Sequence, residues 1–242
     1  MDIKEHELLN YISCPVKYQI EKNGHSVKQP TFNNLLNDMF NFMTSYFFYN
    51  GTDNLLNKAQ REWDKKCKGN IQLTDKKIIE GWGYILRINE LLQNLNGNII
   101  DINVPYVVSM PGAKHSISGF IPVIIEQGNQ MILIKPAFSK TLANRYILDN
   151  DLESIIHSKA VNDLYGKPVI LQYFNFNNMD TKIASYNSMH YDQLGIIINN
   201  VGQAIEEKLI YPRHSFNCST CPVNGLCSIW GTEGFNNPNP FV

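Results

Sequence analysis

Three cysteines lie close together near the end of the 242-residue chain, in the pattern C-x2-C-x5-C formed by Cys218, Cys221 and Cys227. Thiolates at this spacing can face one metal ion or one inorganic cluster, and they can also form disulfides. A metal site needs a fourth ligand, for which the chain offers Cys14 and His214. The pattern leaves three alternatives open: an iron-sulfur cluster, a zinc ion, or cysteines that form disulfides or remain unligated thiols.

Composition bears on the compartment in which these thiols are found. Hydrophobic residues make up 43% of the chain and charged residues 18%, which is typical of a globular protein. The N-terminus is charged where a signal peptide needs an apolar run, and no stretch approaches the roughly 20 apolar residues of a membrane span. We therefore expect a cytoplasmic protein without membrane contact. Reduced cytosolic thiols favour metal binding over disulfides, and the isolated Cys67 is expected to be a free thiol.

The charge balance limits the partners that the chain can attract. There are 21 basic and 22 acidic residues, so the formal net charge is -1. No global positive field points to a nucleic acid, and any such site has to be local. The chain is rich in Asn and Ile and poor in Ala, which is typical of an AT-rich genome such as that of a phage. A phage protein would be found in the bacterial host cell.

The residue pattern predicts a single α/β domain over residues 1–242, in which residues 1–100 are mainly helical. Thr74 can cap the best-defined helix, for which Gly97 is the expected stop. A helix or turn is predicted over residues 5–22, where Pro15 fits a first helical turn if the helix starts near Ser13 or Cys14. The other predicted helices of this part cover residues 31–49, 53–66 and 74–97.

Residues 101–180 are expected to form the sheet core, because short runs rich in β-branched residues begin there. Three strands in "IIDINVPYVVSM", "HSISGFIPVIIEQ" and "QMILIKPAF" predict an antiparallel meander, with turns at Pro111-Gly112 and Gly128-Asn129. A helix over 149–165 and the strand "VILQYFNF" follow. Residues 190–230 are expected to hold a C-terminal helix and the cysteine cluster.

Two cysteine motifs together carry a family resemblance. "LLNYISCPVKY", with Cys14 before a proline, and the terminal C-x2-C-P-x4-C resemble the iron-sulfur branch of the RecB-like PD-(D/E)XK nucleases. That branch includes the CRISPR-associated RecB-like exonucleases and the AddB nuclease domain. Over most of the chain, the resemblance implies a restriction-endonuclease-like core, a mixed sheet flanked by helices. It also implies a four-iron four-sulfur cluster that joins the N- and C-terminal segments and is held by Cys14, Cys218, Cys221 and Cys227.

The resemblance extends to the catalytic motif, but the acids are missing. Family members carry "G-x-x-D" on one strand and "D/E-x-K" on the next, and the acids hold divalent metal ions. Gly119 and Lys135 match the glycine and the lysine, which places the acids at Pro122 and Leu133. Magnesium and manganese need oxygen ligands, which these two side chains lack. The resemblance therefore implies a degenerate site that retains only Lys135.

A site without its metal could still bind DNA. Loss of two acids removes negative charge from the cleft and favours phosphate contact. We expect contacts to single-stranded DNA from Lys135, Lys140 and Arg145, with Lys159 nearby, and base stacking on Phe138, Tyr146, Tyr173 and Phe174.

Three functions follow from these residues. The leading hypothesis is a catalytically inactive nuclease-fold protein that binds DNA as an accessory factor in replication, recombination or transcription of a phage or mobile element. The second is a scaffold subunit that contacts a polymerase, helicase or other nucleic-acid enzyme without touching DNA. The third is an active exonuclease in which Glu126, Asp101 and Lys135 form a relocated site.

Overall fold

The computed structural model describes residues 1–24, 31–68, 70, 73–138, 144–213, 218, 221, 223, 226 and 227, with only the backbone of 145 and 146. Its helices are α1 (Glu5–Ser13), α2 (Pro15–Lys22), α3 (Phe32–Asn50), α4 (Leu55–Cys67), α5 (Asp75–Gln93), α6 (Arg145–Asp149), α7 (Leu152–Tyr165) and α8 (Ser188–Glu206). Its strands are β1 (Asp2–Lys4), β2 (Asn98–Ser109), β3 (Ser116–Gln127), β4 (Gln130–Ala137), β5 (Val169–Asn175) and β6 (Asp180–Ala184).

The strands form a mixed sheet in the order β1-β3-β4-β5-β6, with β2 paired to β3. The neighbours β3 and β4 are antiparallel, whereas β4 and β5 are parallel and place Lys135 opposite Tyr173. Parallel neighbours need a long crossover, which α6 and α7 supply between β4 and β5. The predicted class, an α/β fold with a mixed sheet flanked by helices, is confirmed.

The chain divides into two compact units, of which the larger comprises Pro30–Val108 and Phe120–Tyr191. Its main core joins α3, α4 and α5 to one face of the sheet, with Phe40, Trp63 and Phe176 fully buried. Two of these helices begin at threonines whose hydroxyls accept a backbone N–H, Thr31 for α3 and Thr74 for α5. Thr74 is the predicted cap. None of the helices in the described ranges combines the length and apolar character needed to cross a membrane.

The smaller unit comprises Met1–Gln29, Ser109–Gly119 and Asp192–Val242. Here β1 pairs parallel to the first residues of β3, and the carboxylate of Asp2 accepts hydrogen bonds from Ser116 and Ser118. The second half of α8 packs on the segment that precedes β3, because Gly202 leaves room for the buried ring of His115. Residues far apart in sequence therefore meet in this unit.

Several predicted element boundaries were wrong. The segment expected over 5–22 is two helices, because Cys14 is extended and Pro15 lacks the N–H that would continue the hydrogen-bond ladder. The second helix begins at Pro15, which confirms the expectation that this proline lies in a first helical turn. The fifth helix ends at Gln93, and Gly97, at φ 134°, belongs to the turn before β2. The short elements β1, α6 and β6 were not predicted, because three to five residues carry too little periodicity.

Candidate functional site

Pro122, Leu133 and Lys135, the positions that the sequence resemblance matches to a nuclease motif, line one cavity of about 60 Å³ in the larger unit. Pro122 lies on β3, and Leu133 and Lys135 lie on β4, where alternate residues share one face of the strand. The facing wall comes from α7 and contains Glu153, Ser154 and His157. The structure therefore brings together the predicted site positions and adds polar residues that sequence analysis missed.

Lys135 is bound by two carboxylates of its own chain. Its Nζ donates to Oδ2 of Asp151 at 2.5 Å and to Oε2 of Glu153 at 2.7 Å. The side chains of Lys135 and Asp151 are 31% and 20% exposed, so water screens the first pair only in part. One positive charge faces two negative charges, and a phosphate entering here would meet a local excess of negative charge.

The Asp151 oxygen that binds Lys135 also accepts hydrogen bonds from hydroxyl groups. Ser154 Oγ lies 2.6 Å away and the Tyr173 hydroxyl 2.9 Å away. The hydroxyls of Tyr173 and Tyr186 are 2.9 Å apart, and Tyr186 donates to the carbonyl of Leu148 at 2.7 Å. The network connects β4, β5 and the start of α7, so the ion pair is part of the packing of this unit.

The pKa values reflect this arrangement. Burial alone would lower the pKa of the Lys135 ammonium, but the Asp151 and Glu153 carboxylates outweigh burial and raise it. Burial would likewise raise the pKa of the Asp151 carboxyl, but Lys135 and the hydroxyl donors lower it below its ordinary value. The pKa of the Tyr173 hydroxyl is raised by burial and by the nearby Asp151 charge. All three groups are held in the charge state they have at neutral pH.

The cavity does not offer a divalent metal the ligands of the family motif. Pro122 and Leu133 contribute no oxygen, and the carboxylates of Asp151 and Glu153 are engaged by a lysine. Hard divalent cations require oxygen donors that are available to them. The residues therefore do not fit a metal held in the manner of the active nucleases.

The acids of the expected relocated site are engaged elsewhere. The Glu126 carboxylate forms an ion pair with Lys167. The Asp101 carboxylate accepts a 3.5 Å contact from the Tyr165 hydroxyl. Neither acid lines the cavity at Lys135. The relocated set of Glu126, Asp101 and Lys135 is not assembled in this structure.

The predicted DNA contacts are only partly described. Lys159 forms an ion pair with Asp163 at 2.5 Å, and Lys135 is paired as above. Lys140 and the side chains of Arg145 and Tyr146 lie outside the described residues. Among the aromatic candidates, Tyr173 is buried, and Phe138 and Phe174 pack against the main core. The described candidates are therefore engaged within the protein.

In the smaller unit, the cysteines of the two chain ends meet in one apolar cluster. Val16, Ile20 and Val223 form its buried centre. Three of the four predicted ligands pack against this centre, namely Cys14, Cys221 and Cys227. Cys14 is placed there by the break between α1 and α2, where its own backbone is extended. Cys14 therefore packs against the same apolar residues as two of the C-terminal cysteines.

Polar contacts hold the same two segments together. The Tyr11 hydroxyl donates to the carbonyl of Leu209 at 2.5 Å, and Arg213 Nη1 donates to the carbonyl of Ile12 at 2.5 Å. The fourth predicted ligand, Cys218, directs its Sγ to the carbonyl of Arg213 at 3.8 Å. The segment that precedes the C-terminal cysteines is thereby tied to the first helix.

The described cysteines do not form a compact ligand group. Within the described residues, no cysteine belongs to a group of three candidate ligand atoms that all lie within 4.8 Å of one another. His214, the other fourth ligand considered for a zinc ion, lies outside the described residues.

Cys67 lies apart from the other four cysteines. It ends α4 in the larger unit and packs against the main core. Burial raises the pKa of its thiol, and the nearby Asp64 carboxylate raises it further. A thiol with a raised pKa is a poor nucleophile at neutral pH. This placement agrees with the expectation of an unligated thiol.

Comparison with known proteins gives little further guidance. No protein-family model and no curated protein matches the sequence. A solved structure described as the crystal structure of SSO0001 is similar over 88% of this chain and 93% of that chain, at 13% identity and a TM-score of 0.36. A likeness of this size supports no conclusion about family or activity.

Proposed function

We propose that this chain is a PD-(D/E)XK-type protein that has lost metal-dependent cleavage. One observation carries the proposal: Pro122, Leu133 and Lys135, the positions matched to the nuclease motif, line a single cavity in which Lys135 is bound by Asp151 and Glu153. In an active site, acids at the first two positions would hold the metal that activates water. Here the carboxylates of Asp151 and Glu153 bind the ammonium group of Lys135 instead.

We further propose that Cys14, Cys218, Cys221 and Cys227 hold a four-iron four-sulfur cluster. Support comes from the packing of three of these residues around Val16, Ile20 and Val223, which unites residues from both chain ends. With all four ligands from the protein, a bound cluster would serve mainly as a structural link. The thiolates would hold the break between α1 and α2 against the C-terminal segment.

The role that we propose is that of an accessory factor that binds DNA, with single strands favoured, in the cytoplasm of a bacterial host. It would act in replication, recombination or transcription of a phage or mobile element, beside a polymerase, helicase or similar enzyme. Support comes from the family resemblance of the sequence. The charge around Lys135 indicates that DNA would be bound away from that cavity.

A scaffold subunit is the second candidate, and a specific observation favours it. Lys135 and Lys159, the two predicted DNA contacts whose side chains are described, form ion pairs with carboxylates of the chain itself. Paired lysines release few counterions when a phosphate approaches, so they add little affinity for DNA. A partner protein would then be recognised through other surfaces.

A cleavage assay tests the loss of catalysis. Labelled single- and double-stranded DNA is incubated with the full-length protein and excess manganese or magnesium, beside an active nuclease of the same fold. We expect no product. If cleavage products accumulate with the protein and are lost in Lys135→Met, the third function, an active nuclease with displaced acids, replaces the proposal.

A binding assay separates the accessory factor from the scaffold. Electrophoretic shifts are measured for single- and double-stranded DNA over a series of salt concentrations. A DNA-binding protein gives a complex whose affinity falls as salt rises, because phosphate contacts release counterions. Absence of any salt-dependent complex would leave the scaffold as the better function.

An absorption spectrum of anaerobically purified protein tests the cluster. We expect a broad band near roughly 400 nm and matching iron and sulfide contents. Cys14→Ala should abolish the band, whereas the matched control Cys67→Ala should keep it. Zinc in place of iron, or iron retained in Cys14→Ala, would overturn the assignment.

A further inference from the structure

A second and larger cavity lies in the larger unit, on the sheet face that is packed by α5. Its volume is about 230 Å³. It is open between the end of α5 and the three strands β3, β4 and β5. Adjacent residues of a strand face opposite sides of a sheet, so Ile132 of this cavity and Leu133 of the first one face away from each other. The two cavities are therefore separate sites.

The lining of this cavity is polar but uncharged. Four carboxamides surround it, from Asn94, Asn96, Gln127 and Gln172. Four aliphatic side chains complete the wall, from Leu91, Leu95, Ile125 and Ile132. Because no charged side chain lines the cavity, its ligand is expected to be neutral. A carboxamide offers a donor and an acceptor side by side, so the ligand should present both on one edge.

Gln172 is the residue that packing alone does not explain. The register places it opposite Ile134 on β4 and Ile183 on β6, and the next residue of its face is Phe174. Gln172 is half-buried, so its carboxamide can bond a ligand that enters the cavity. Within the described part of the chain, Asn96, Gln127 and Gln172 have no side-chain hydrogen bond, whereas Asn94 donates to the carbonyl of Glu90. Three of the four carboxamides thus remain available to a ligand.

The rim of the cavity is held in place by Gly97. This residue has φ 134°, a conformation that favours glycine. A Cβ added to it would lie 2.8 Å from the carbonyl oxygen of Glu126 and 2.9 Å from Cγ2 of Ile125. The turn that carries Asn94 and Asn96 therefore lies directly against the end of β3. The opening is shaped before any ligand arrives, which lowers the entropy lost on binding.

We propose that this cavity binds one adenine base. Its volume equals that of several water molecules at about 30 Å³ each, but it is below the roughly 300 Å³ at which drug-sized pockets begin. A flat ring system of one or two rings fits this range and can lie against the aliphatic wall. Asn and Gln pair bidentately with the N6 amino group and N7 of adenine. Gln172 on β5 makes this bidentate pair, and Gln127 on β3, on the other side of β4, bonds a second polar edge of the base.

The base can come from two sources with the same chemistry, a free nucleoside or an unpaired nucleotide within a DNA strand. The proposal deepens the DNA-binding function in the second case and is independent of it in the first. Failure of the two proposals is therefore distinguishable. DNA could bind without these carboxamides, and adenosine could bind where DNA does not.

Titration calorimetry with the full-length protein tests the proposal. Adenosine is titrated first, followed by 7-deazaadenosine, which lacks the N7 acceptor, and by an oligo-dA strand. We expect saturable binding of adenosine and about tenfold weaker binding of 7-deazaadenosine, since one hydrogen bond is lost. If Gln172→Leu and Gln127→Leu weaken oligo-dA binding as much as adenosine binding, the base belongs to a DNA strand. If adenosine binds and oligo-dA does not, the base belongs to a free nucleoside.

Matched variants locate the binding site. Gln172→Leu and Gln127→Leu should each weaken adenosine binding about tenfold, because each removes a carboxamide that bonds the base. Gln93→Leu, which changes an exposed glutamine at the end of α5 outside the cavity lining, should bind like the wild type. Circular dichroism confirms that each variant is folded. The proposal is overturned if adenosine does not bind at millimolar concentration, or if folded Gln172→Leu and Gln127→Leu bind it unchanged.

Discussion

The ammonium nitrogen of Lys135 lies 2.5 Å from Oδ2 of Asp151, which begins the helix that faces it. In the nuclease motif, a lysine at this position works beside a metal ion. Here it serves as the cation for two carboxylates of α7. A residue of this kind should matter for the stability of the fold, and this expectation can be measured.

Replacing Lys135 should destabilise the protein. In Lys135→Met, the carboxylates of Asp151 and Glu153 lose their shared cation in a partly buried place. Leaving a buried polar group without its partner typically lowers the free energy of unfolding by about 1–3 kcal/mol. Urea unfolding followed by circular dichroism measures the change.

Lys65→Met is the control for this substitution. Lys65 is 80% exposed and approaches Glu62 only at 4.0 Å, so it should contribute less than about 0.5 kcal/mol. Equal stability of Lys135→Met and Lys65→Met would contradict a structural role for the Lys135 pair.

The same pair should make stability depend on pH in the acid range. The pKa of Asp151 is lower in the folded protein than in the unfolded chain, where an aspartate titrates near about 3.9. The unfolded chain therefore binds more protons as pH falls. The contribution of Asp151 is fully present above about pH 4 and is lost as pH falls through its folded pKa.

The urea midpoint measured from neutral to acid pH checks this dependence. The wild type should lose more stability than Asp151→Asn as the pH falls below about 4, because the variant lacks the titrating group. Lys135→Met should also show a smaller loss, since it removes the main cause of the lowered pKa. Parallel curves for all three proteins would show that Asp151 does not carry the effect.

The proposed cluster should stabilise the smaller unit. Linking Cys14 to thiols near the other end of the chain restrains the unfolded state, as other cross-links between distant residues do. Cys14→Ser should lower the free energy of unfolding of anaerobically purified protein by about 2–5 kcal/mol, the range for loss of a native cross-link. Cys67→Ser should change it by about 1 kcal/mol or less. A small effect of Cys14→Ser in protein that contains iron would argue against a structural link.

The sequence supported the long elements better than the short ones. Helices such as α5 have enough periodicity and a clear cap at Thr74, so their positions could be predicted. The β1 strand has three residues and exists because the start of β3 provides a parallel neighbour. A contact of this kind depends on residues more than one hundred positions away. A local sequence pattern therefore cannot predict this strand.

The sequence predicted the strand residues of the site but not its helix residues. Motif spacing located Pro122, Leu133 and Lys135 on neighbouring strands, and the structure places them in one cavity. Asp151 and Glu153 were missed, because the pairing of a lysine with a helix terminus depends on how α7 crosses the sheet. The four-residue spacing of Glu153 and His157 was the available signal, since it places both on one face of the helix.

Two glycines of α5 allow a direct test of the helix packing. A Cβ on Gly81 would lie 2.2 Å from Cζ2 of Trp63, which is fully buried and donates its indole N–H to the carbonyl of Ile78. A Cβ on Gly83 would meet nothing within 4 Å. Gly81→Ala should therefore displace the tryptophan and lower the free energy of unfolding by about 1–3 kcal/mol.

Gly83→Ala should have the opposite effect. Alanine loses less backbone entropy on folding than glycine, so an unobstructed substitution within a helix should raise stability by about 0.5–1 kcal/mol. Both changes add the same methyl group to the same helix, two residues apart, so their helix propensities cancel in the comparison. Urea unfolding followed by circular dichroism reports the two outcomes. If both variants were equally stabilised, α4 would not pack on α5 through Gly81.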